Sequence, residues 1–267
     1  MSQRIIQRFE SLTSRGQKAL VTFVMAGDPD LSASTEILSA LPSSGADIIE
    51  IGMPFTDPMA DGPAIQSAGL RALAHGTGLT EVLSLVQQFR RHNQDTPIIL
   101  MGYFNPILAY NPQKFVQDAA SAGADGLIIV DLPPEESNEI APHARAAGLD
   151  MIRLITPTTD SARLPHILTG ASGFLYYVSI AGVTGSKSAD VNAVADHIAR
   201  IKTQTRLPVV AGFGIKTPAD VSAFSRIADG VVVGSAIVQY IEQHQKETNL
   251  AQRVSAHVSA LKSAMSA

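Results

Sequence analysis

The chain has 267 residues, of which 45% are hydrophobic and 16% charged, and its formal net charge is −4. This length supports one large domain with a sizeable core, or two small domains. A slightly acidic chain without a basic run argues against a nucleic-acid partner. There is no cysteine, which excludes disulfides, thiolate metal sites and a cysteine nucleophile. No apolar stretch reaches membrane-spanning length, so we expect no membrane insertion and a cytoplasmic location.

The N-terminal segment has the apolar spacing of an amphipathic helix. Ile5, Ile6, Phe9 and Leu12 recur at helical intervals between charged residues, a pattern that differs from that of a signal peptide. We therefore expect this helix to close one end of the core.

Eight short apolar runs follow, and each precedes a segment of helical period. They predict strands at 19–25, 47–51, 97–102, 126–130, 151–155, 174–178, 208–211 and 230–233. This alternation fits an α/β fold, a (β/α)8 TIM barrel formed by residues 1–267 as a single domain with an extra N-terminal helix. A doubly wound open sheet uses the same alternation, but eight units and the lack of GxGxxG after the first strand favour the barrel.

The junctions and gaps between these runs carry further information. Gly-containing motifs ending in Asp recur before strands at 44–47, 122–125 and 147–150, where each glycine suits a helix C-cap. The gaps after the second and sixth strands are longer than the others, which predicts long loops on the catalytic face. The second long loop, 179–190, has the small residues of a lid.

Two carboxylates stand out near the second strand. Glu50 interrupts a β-branched run that is typical of a buried strand, where an unpaired carboxylate costs several kcal/mol. Asp61 follows in the loop above, so the two form a candidate acid–base pair across a pocket. Two structural alternatives stay open: Asp61 as the N-cap of the helix near Pro63, and Glu50 in an ion pair with Arg153.

Glycines after the last two strands predict a phosphate site. Strand seven leads into Gly212-Phe213-Gly214, and strand eight into Gly234-Ser235 at a helix start. Barrels bind phosphate in these loops through backbone N–H groups and a helix N-terminus. Gly185, from the sixth loop, would close over the same site. The alternative is a set of ordinary glycine turns.

Other barrel chemistries lack their residues. No histidine ends a predicted strand and no lysine lies inside one, which argues against a histidine-bound metal and against a Schiff-base aldolase. The remaining interior candidates are two tyrosines and several apolar residues that suit a flat apolar group, or simply form core: Tyr103, Tyr176, Phe23, Met101, Ile128 and Ile65.

A long motif over 49–63, Ile-Glu-Ile-Gly-Met-Pro-Phe-Thr-Asp-Pro-Met-Ala-Asp-Gly-Pro, resembles the signature of the tryptophan synthase α-subunit family. The resemblance covers essentially the whole chain. It continues through the motifs at 26–29, 102–106, 131–136, 176–179, 182–185, 212–215 and 234–235.

The resemblance implies retro-aldol cleavage of indole-3-glycerol phosphate to indole and glyceraldehyde 3-phosphate, without a cofactor or metal. It implies that Glu50 protonates indole C3 and takes the glycerol hydroxyl proton, while ionised Asp61 accepts the indole N–H. The implied substrate contacts are Phe23, Ile65, Met101, Tyr103, Ile128, Tyr176, Thr184, Gly185, Phe213, Gly214, Gly234 and Ser235.

A partner is also implied, a pyridoxal-phosphate β subunit in an α2β2 heterotetramer that takes up the indole. The residues expected near it are Pro54, Asp57, Pro58, Asn105 and Asp131. Two alternatives remain. One is another phosphosugar barrel, such as ribulose-phosphate epimerase or an indole-glycerol-phosphate-forming enzyme, and the other is an inactive barrel that only activates a β subunit.

Overall fold

The computed structural model describes residues 2–178, 191–212 and 214–266. Its strands are β1 (Ala19–Met25), β2 (Ile48–Gly52), β3 (Ile98–Gly102), β4 (Gly126–Ile129), β5 (Asp150–Met151), β6 (Arg153–Ile155), β7 (Leu175–Val178), β8 (Val209–Gly212) and β9 (Gly230–Val233). The α-helices are α1 (Gln3–Ser14), α2 (Leu31–Ala40), α3 (Pro63–Ala74), α4 (Leu79–Arg90), α5 (Phe104–Tyr110), α6 (Pro112–Ala122), α7 (Ala141–Ala146), α8 (Arg163–Leu168), α9 (Val191–Lys202), α10 (Pro218–Ser225), α11 (Ser235–His244) and α12 (Leu250–Ser263). Short 3-10 helices cover Pro134–Glu139 and Ala264–Ser266.

The strands form one parallel sheet in the order β5-β4-β3-β2-β1-β9-β8-β7-β6. Because β5 and β6 are consecutive in the chain, the two ends of this order meet and the sheet is a nearly closed barrel. The helices surround it, which confirms the predicted (β/α)8 TIM barrel. No helix among the described residues is long and apolar enough to cross a membrane.

The fifth predicted strand, 151–155, is wrong as one continuous element. Its first part, β5, pairs with β4, and its second part, β6, pairs with β7. Ile152 lies between them and donates its backbone N–H to the Leu127 carbonyl at 3.0 Å. At this point the chain stops pairing with β4 on one side and begins pairing with β7 on the other.

The barrel interior is filled by side chains that alternate along the strands. Val21, Ile99 and Phe174 belong to an inner cluster, which α1 extends with Ile5 and Phe9 at the N-terminal end of the barrel. A larger cluster lies between the strands and the surrounding helices. The predicted amphipathic helix is confirmed as α1, and its apolar side closes the barrel floor.

Three aspartates tie neighbouring strands together at the barrel floor. Each aspartate forms two hydrogen bonds with one residue of the preceding strand. The aspartate backbone N–H donates to the carbonyl of that residue, and the aspartate carboxylate accepts the backbone N–H of the same residue. The pairs are Asp47 with Leu20, Asp125 with Ile98, and Asp229 with Val209, with every distance between 2.8 and 2.9 Å. Two of these aspartates end the repeated junction motifs.

The extra length after the second strand forms the loop 53–62 and two helices, α3 and α4. This accounts for the first predicted long segment, since a typical barrel unit has one helix. The second predicted long segment, 179–190, lies outside the described residues.

Asp125→Asn is expected to destabilise the fold by about 3–5 kcal/mol. The Asp125 carboxylate accepts from Ser2 Oγ at 2.6 Å, Arg90 Nη2 at 2.6 Å and Ile98 N at 2.8 Å. An amide would remove the charge that pairs with buried Arg90, and would set an NH2 group against donors. Urea unfolding measures the loss, with exposed Glu10→Gln as the control within about 0.5 kcal/mol of wild type. If Asp125→Asn is as stable as that control, the hydrogen bonds and ion pair of Asp125 do not stabilise the fold as expected.

Candidate functional site

Strand β2 carries Glu50 into the barrel. Ile49 and Ile51 face the helices in the outer cluster, and Ile48 belongs to the inner one, so alternation directs Glu50 inward. Its neighbours in register are Phe23 on β1 and Ile99 on β3.

Glu50 is fully buried without a polar partner. Its exposed fraction is 0%, and neither carboxyl oxygen has a hydrogen-bond partner among the described residues. Burial raises the pKa of Glu50 to about 8, because water no longer solvates the anion. Over the described ranges no ion pair joins it to Arg153, so the structural ion-pair alternative is wrong. At neutral pH this group is therefore a protonated acid.

Asp61 lies in the loop before α3 but does not cap that helix. Gly62 occupies the N-cap position and Pro63 begins the helix, with no side-chain cap. The N-cap alternative is therefore wrong. Burial raises the pKa of Asp61 to about 6, and a hydrogen bond with the Tyr103 side chain opposes that rise. Asp61 is thus ionised at neutral pH, unlike Glu50.

Tyr103 connects the loop 53–62 to the rim of the barrel. Its hydroxyl accepts the Ala60 N–H at 3.0 Å, and its ring lies 5.6 Å from the Phe55 ring. Burial, together with the neighbouring Asp61 charge, raises the pKa of Tyr103 to about 12. The hydroxyl therefore stays protonated and holds both the loop backbone and Asp61.

The predicted apolar residues fall into two adjoining groups. Phe23, Ile65 and Met101 lie in a cluster between β1, α3 and β3, whereas Ile128 and Tyr176 belong to the inner cluster. Burial raises the pKa of Tyr176, and the Glu50 carboxyl adds to that rise when it is ionised.

Sequence reasoning missed the packing role of two glycines, Gly52 and Gly212, on which these rings depend. A Cβ on Gly52 would lie 2.5 Å from Phe23 Cζ, and one on Gly212 would lie 2.5 Å from the Tyr176 hydroxyl. Both distances are shorter than any real Cβ contact, so only glycine lets each ring lie against the neighbouring strand. The sequence did contain a signal for this packing role, namely a glycine at the inward-facing end of each strand.

The predicted phosphate residues lie at the ends of two paired strands, β8 and β9. Gly234 is the N-cap of α11 and Ser235 its first residue, and no side chain caps this terminus. Gly214, two residues after β8, has a φ of +77° that favours glycine. Backbone N–H groups at such a helix start suit an anion. Three other predicted contacts lie outside the described residues: Thr184, Gly185 and Phe213.

The residues expected at a partner surface differ in exposure. Asp57, Asn105 and Asp131 are exposed and Pro58 is half-buried. Pro54 is buried, so its expected place on the surface of the isolated chain is wrong. The reason is that Met53 still pairs with β3, through its N–H to the Met101 carbonyl at 2.8 Å, which keeps the next residue inside the rim.

Two exposed apolar side chains lie among those residues and were not predicted. Met59, in the loop 53–62, is 83% exposed, and Leu108, on α5, is 50% exposed. A contiguous patch of such side chains marks a protein–protein surface, whereas a single exposed apolar residue is ordinary.

Comparison with known proteins identifies the family. The family model described as "Tryptophan synthase alpha chain" matches residues 9–266. The tryptophan synthase subunit alpha from Legionella pneumophila str. Paris is 40% identical with a TM-score of 0.93, over 100% of this chain and 99% of that one. The aminoacrylate-bound tryptophan synthase from M. tuberculosis is 31% identical with a TM-score of 0.88, over 98% and 99%.

The chain belongs to the tryptophan synthase alpha chain family. It therefore has the alpha-subunit role in tryptophan biosynthesis, a carbon–carbon lyase activity that cleaves indole-3-glycerol phosphate by the family's retro-aldol reaction. The predicted family and activity are confirmed, against the phosphosugar-barrel and inactive-barrel alternatives. Members of this family pair with a β subunit.

Glu50→Gln is expected to raise the melting temperature at pH 8 and above, and to change it little near pH 4. The folded-state pKa of about 8 exceeds the unfolded value, so Glu50 favours folding below the unfolded pKa, and this contribution is lost as pH rises through the folded pKa. Gln has no proton to lose. Thermal unfolding across pH measures the difference, and a variant less stable than wild type at high pH would contradict it.

Proposed function

We propose that Glu50 and Asp61 together cleave indole-3-glycerol phosphate as general acid–base and electrostatic partner. The observation that carries the proposal is their opposite protonation: the pKa of Glu50 is about 8 and that of Asp61 about 6. Between these values one carboxyl is neutral and the other is anionic. A reaction that needs a proton donor and a negative charge at once uses this combination.

Glu50 would act on both sides of the bond that breaks. Its protonated carboxyl gives a proton to indole C3, which converts the ring to the indolenine. The resulting carboxylate accepts the proton of the hydroxyl on the adjacent glycerol carbon. The C–C electron pair then returns to the ring, which leaves as indole, and the glycerol part leaves as glyceraldehyde 3-phosphate. Glu50, which has given one proton and taken one, ends protonated and ready for the next turnover.

Asp61 would stabilise the positive charge that develops on the ring. As an anion it accepts the indole N–H, and this hydrogen bond strengthens once C3 is protonated. The Tyr103 hydroxyl stays neutral at its pKa of about 12, so it orients Asp61 without competing for the proton. Thr184, on the sixth loop, is proposed to hydrogen-bond Asp61 when substrate is present.

The remaining residues would position the substrate between the carboxyls. Phe23, Met101 and Tyr176 are proposed to flank the indole, with Ile65 and Ile128 beside them. The phosphate would bind at the uncapped start of α11, which anchors the glycerol chain and orients its hydroxyl toward Glu50. The proposed phosphate contacts are Gly185, Phe213, Gly214, Gly234 and Ser235.

We further propose that this chain pairs with a pyridoxal-phosphate β subunit in an α2β2 heterotetramer in the cytoplasm. The exposed residues Asp57, Asn105 and Asp131, with half-buried Pro58, would lie at that interface. The exposed side chains of Met59 and Leu108 supply the apolar surface that such a contact buries.

Replacing either carboxyl is expected to lower indole release by about 10²–10⁴-fold without unfolding the chain. Glu50→Gln removes the proton donor and acceptor, and Asp61→Asn removes the negative charge while keeping the side-chain shape. Indole formation from indole-3-glycerol phosphate is measured with each variant alone and with a β subunit. Exposed Asp95→Asn, at the opposite end of β3, is the control with wild-type rates. A folded Glu50→Gln with wild-type turnover would overturn the assignment.

The pH profile of kcat/KM is expected to be bell-shaped. Activity rises as Asp61 ionises near its pKa of about 6, and falls as Glu50 loses its proton near about 8. Because kcat/KM reports both the free enzyme and the free substrate, whose phosphate also ionises at about pH 6, the contribution of Asp61 is read from the difference between wild type and Asp61→Asn. The acidic limb should be shallower in the residual activity of Asp61→Asn, and an unchanged acidic limb in that variant would contradict the assignment.

A further inference from the structure

A cavity of about 280 Å³ lies where the pairing between strands is interrupted. Strand β5 pairs with β4, whereas β6 pairs with β7, so the ends of β4 and β6 diverge. The cavity lies at this divergence, under the loop 130–134 and against α8. None of the residues proposed for catalysis or substrate binding lines it. Asp131, proposed for the partner surface, is one of its lining residues.

The cavity wall is mainly apolar and contains one buried cation. Ile129, Leu132, Leu154 and Ile167 supply apolar lining. Arg153, the cation, is 5% exposed. A guanidinium does not lose its proton in a protein, so a full positive charge lies among aliphatic side chains.

Arg153 lacks an adequate counter-ion among the described residues. Its Nε is buried without a hydrogen-bond partner, and its Nη1 donates only to the Leu132 carbonyl, at 3.4 Å, near the limit of a hydrogen bond. The acid that acts on it is Glu135, which raises the pKa of Arg153 less than burial lowers it. Glu135 already forms a two-pronged ion pair with Arg163.

We propose that this cavity binds a small organic monocarboxylate with an apolar body, held by Arg153. A planar guanidinium matches a carboxylate and gains strong charge-assisted hydrogen bonds to it. One unpaired cation suits a single negative charge, and the aliphatic wall suits an apolar group. The volume is slightly below that of pockets for drug-sized ligands, so the ligand has the size of a benzoate.

Benzoate is the probe for this site in the full chain. At ten times its Kd it is expected to raise the melting temperature by about 3 °C and to shift the Arg153 Nε–H resonance of arginine-labelled protein. Arg153→Met should abolish both effects and melt no lower than wild type, because it removes an unpaired buried charge. Benzoate without effect on wild type, or with the same stabilisation of Arg153→Met, would overturn the proposal.

Two control variants test whether benzoate binds at Arg153. Exposed Arg91→Met, which lies outside the cavity, should keep wild-type benzoate binding, and a loss of binding there would point to nonspecific charge attraction and contradict the proposal. If Arg153→Met fails to fold, Arg153→Lys keeps a charge but loses the planar fork, and its benzoate Kd should rise about tenfold. An unchanged Kd in Arg153→Lys would contradict the role of the guanidinium.

Two further measurements test the location of the site and its choice of anion. Benzoate should leave the KM for indole-3-glycerol phosphate unchanged, since competition would place the probe in the active site and contradict the proposal. Inorganic phosphate should bind the cavity more weakly than benzoate, and tighter phosphate binding would contradict the choice of a carboxylate.

Discussion

The cost of burying Glu50 without a partner is the constraint on which the proposed site depends. A carboxylate in an apolar interior is strongly disfavoured, so the group keeps its proton and its pKa rises to about 8. If Arg153 or a backbone N–H were paired with Glu50, the pKa of Glu50 would be lower and its carboxyl would be ionised at neutral pH. The absence of a partner among the described residues is therefore what makes Glu50 a proton donor.

The rest of the barrel keeps that environment fixed. At the floor, α1 fills the interior and the three aspartates bridge neighbouring strands, so the strands hold their register. At the rim, Tyr103 holds the Ala60 N–H and the Asp61 side chain, which keeps the second carboxyl near the pocket but partly solvated. Two carboxyls eleven residues apart in sequence thus acquire different protonation because one lies in the closed interior and the other at its mouth.

Much of this arrangement followed from sequence pattern. Buried parallel strands give β-branched runs, so seven strands were predicted within about two residues, and Glu50 stood out as a charge within such a run. The division of the fifth strand was not visible, because it depends on how the barrel closes and not on local propensity. Of the three junction glycines predicted as C-caps, only Gly123 is one, since α2 is capped by Leu41 and α7 by Ala147. The bridging role of Asp47 and Asp125 could be seen only with the neighbouring strand in place. Pro54 was misplaced for a similar reason, since pairing continues through Met53 beyond the predicted strand end.

The two structural alternatives for the carboxyls needed three-dimensional evidence. A sequence places Asp61 near a helix start, but only the backbone shows that Gly62 is the N-cap. Arg153 was a reasonable partner for Glu50 by composition, yet it lines the cavity beside α8, in a different apolar environment. Alternation through 151–155 places Ile152 and Leu154 in the inner cluster and Met151 and Ile155 in the outer one, so Arg153 faces away from the interior that holds Glu50.

The most direct test of this account is the protonation state of Glu50 itself. Infrared difference spectra of wild type against Glu50→Gln, recorded from about pH 5 to about pH 10, follow the carbonyl stretch of a protonated carboxyl in an apolar site. We predict that this band is present at neutral pH and is lost near pH 8, the pKa of the buried carboxyl. A Glu50 that is already ionised at about pH 6 would contradict it, because the chain would then lack its proton donor.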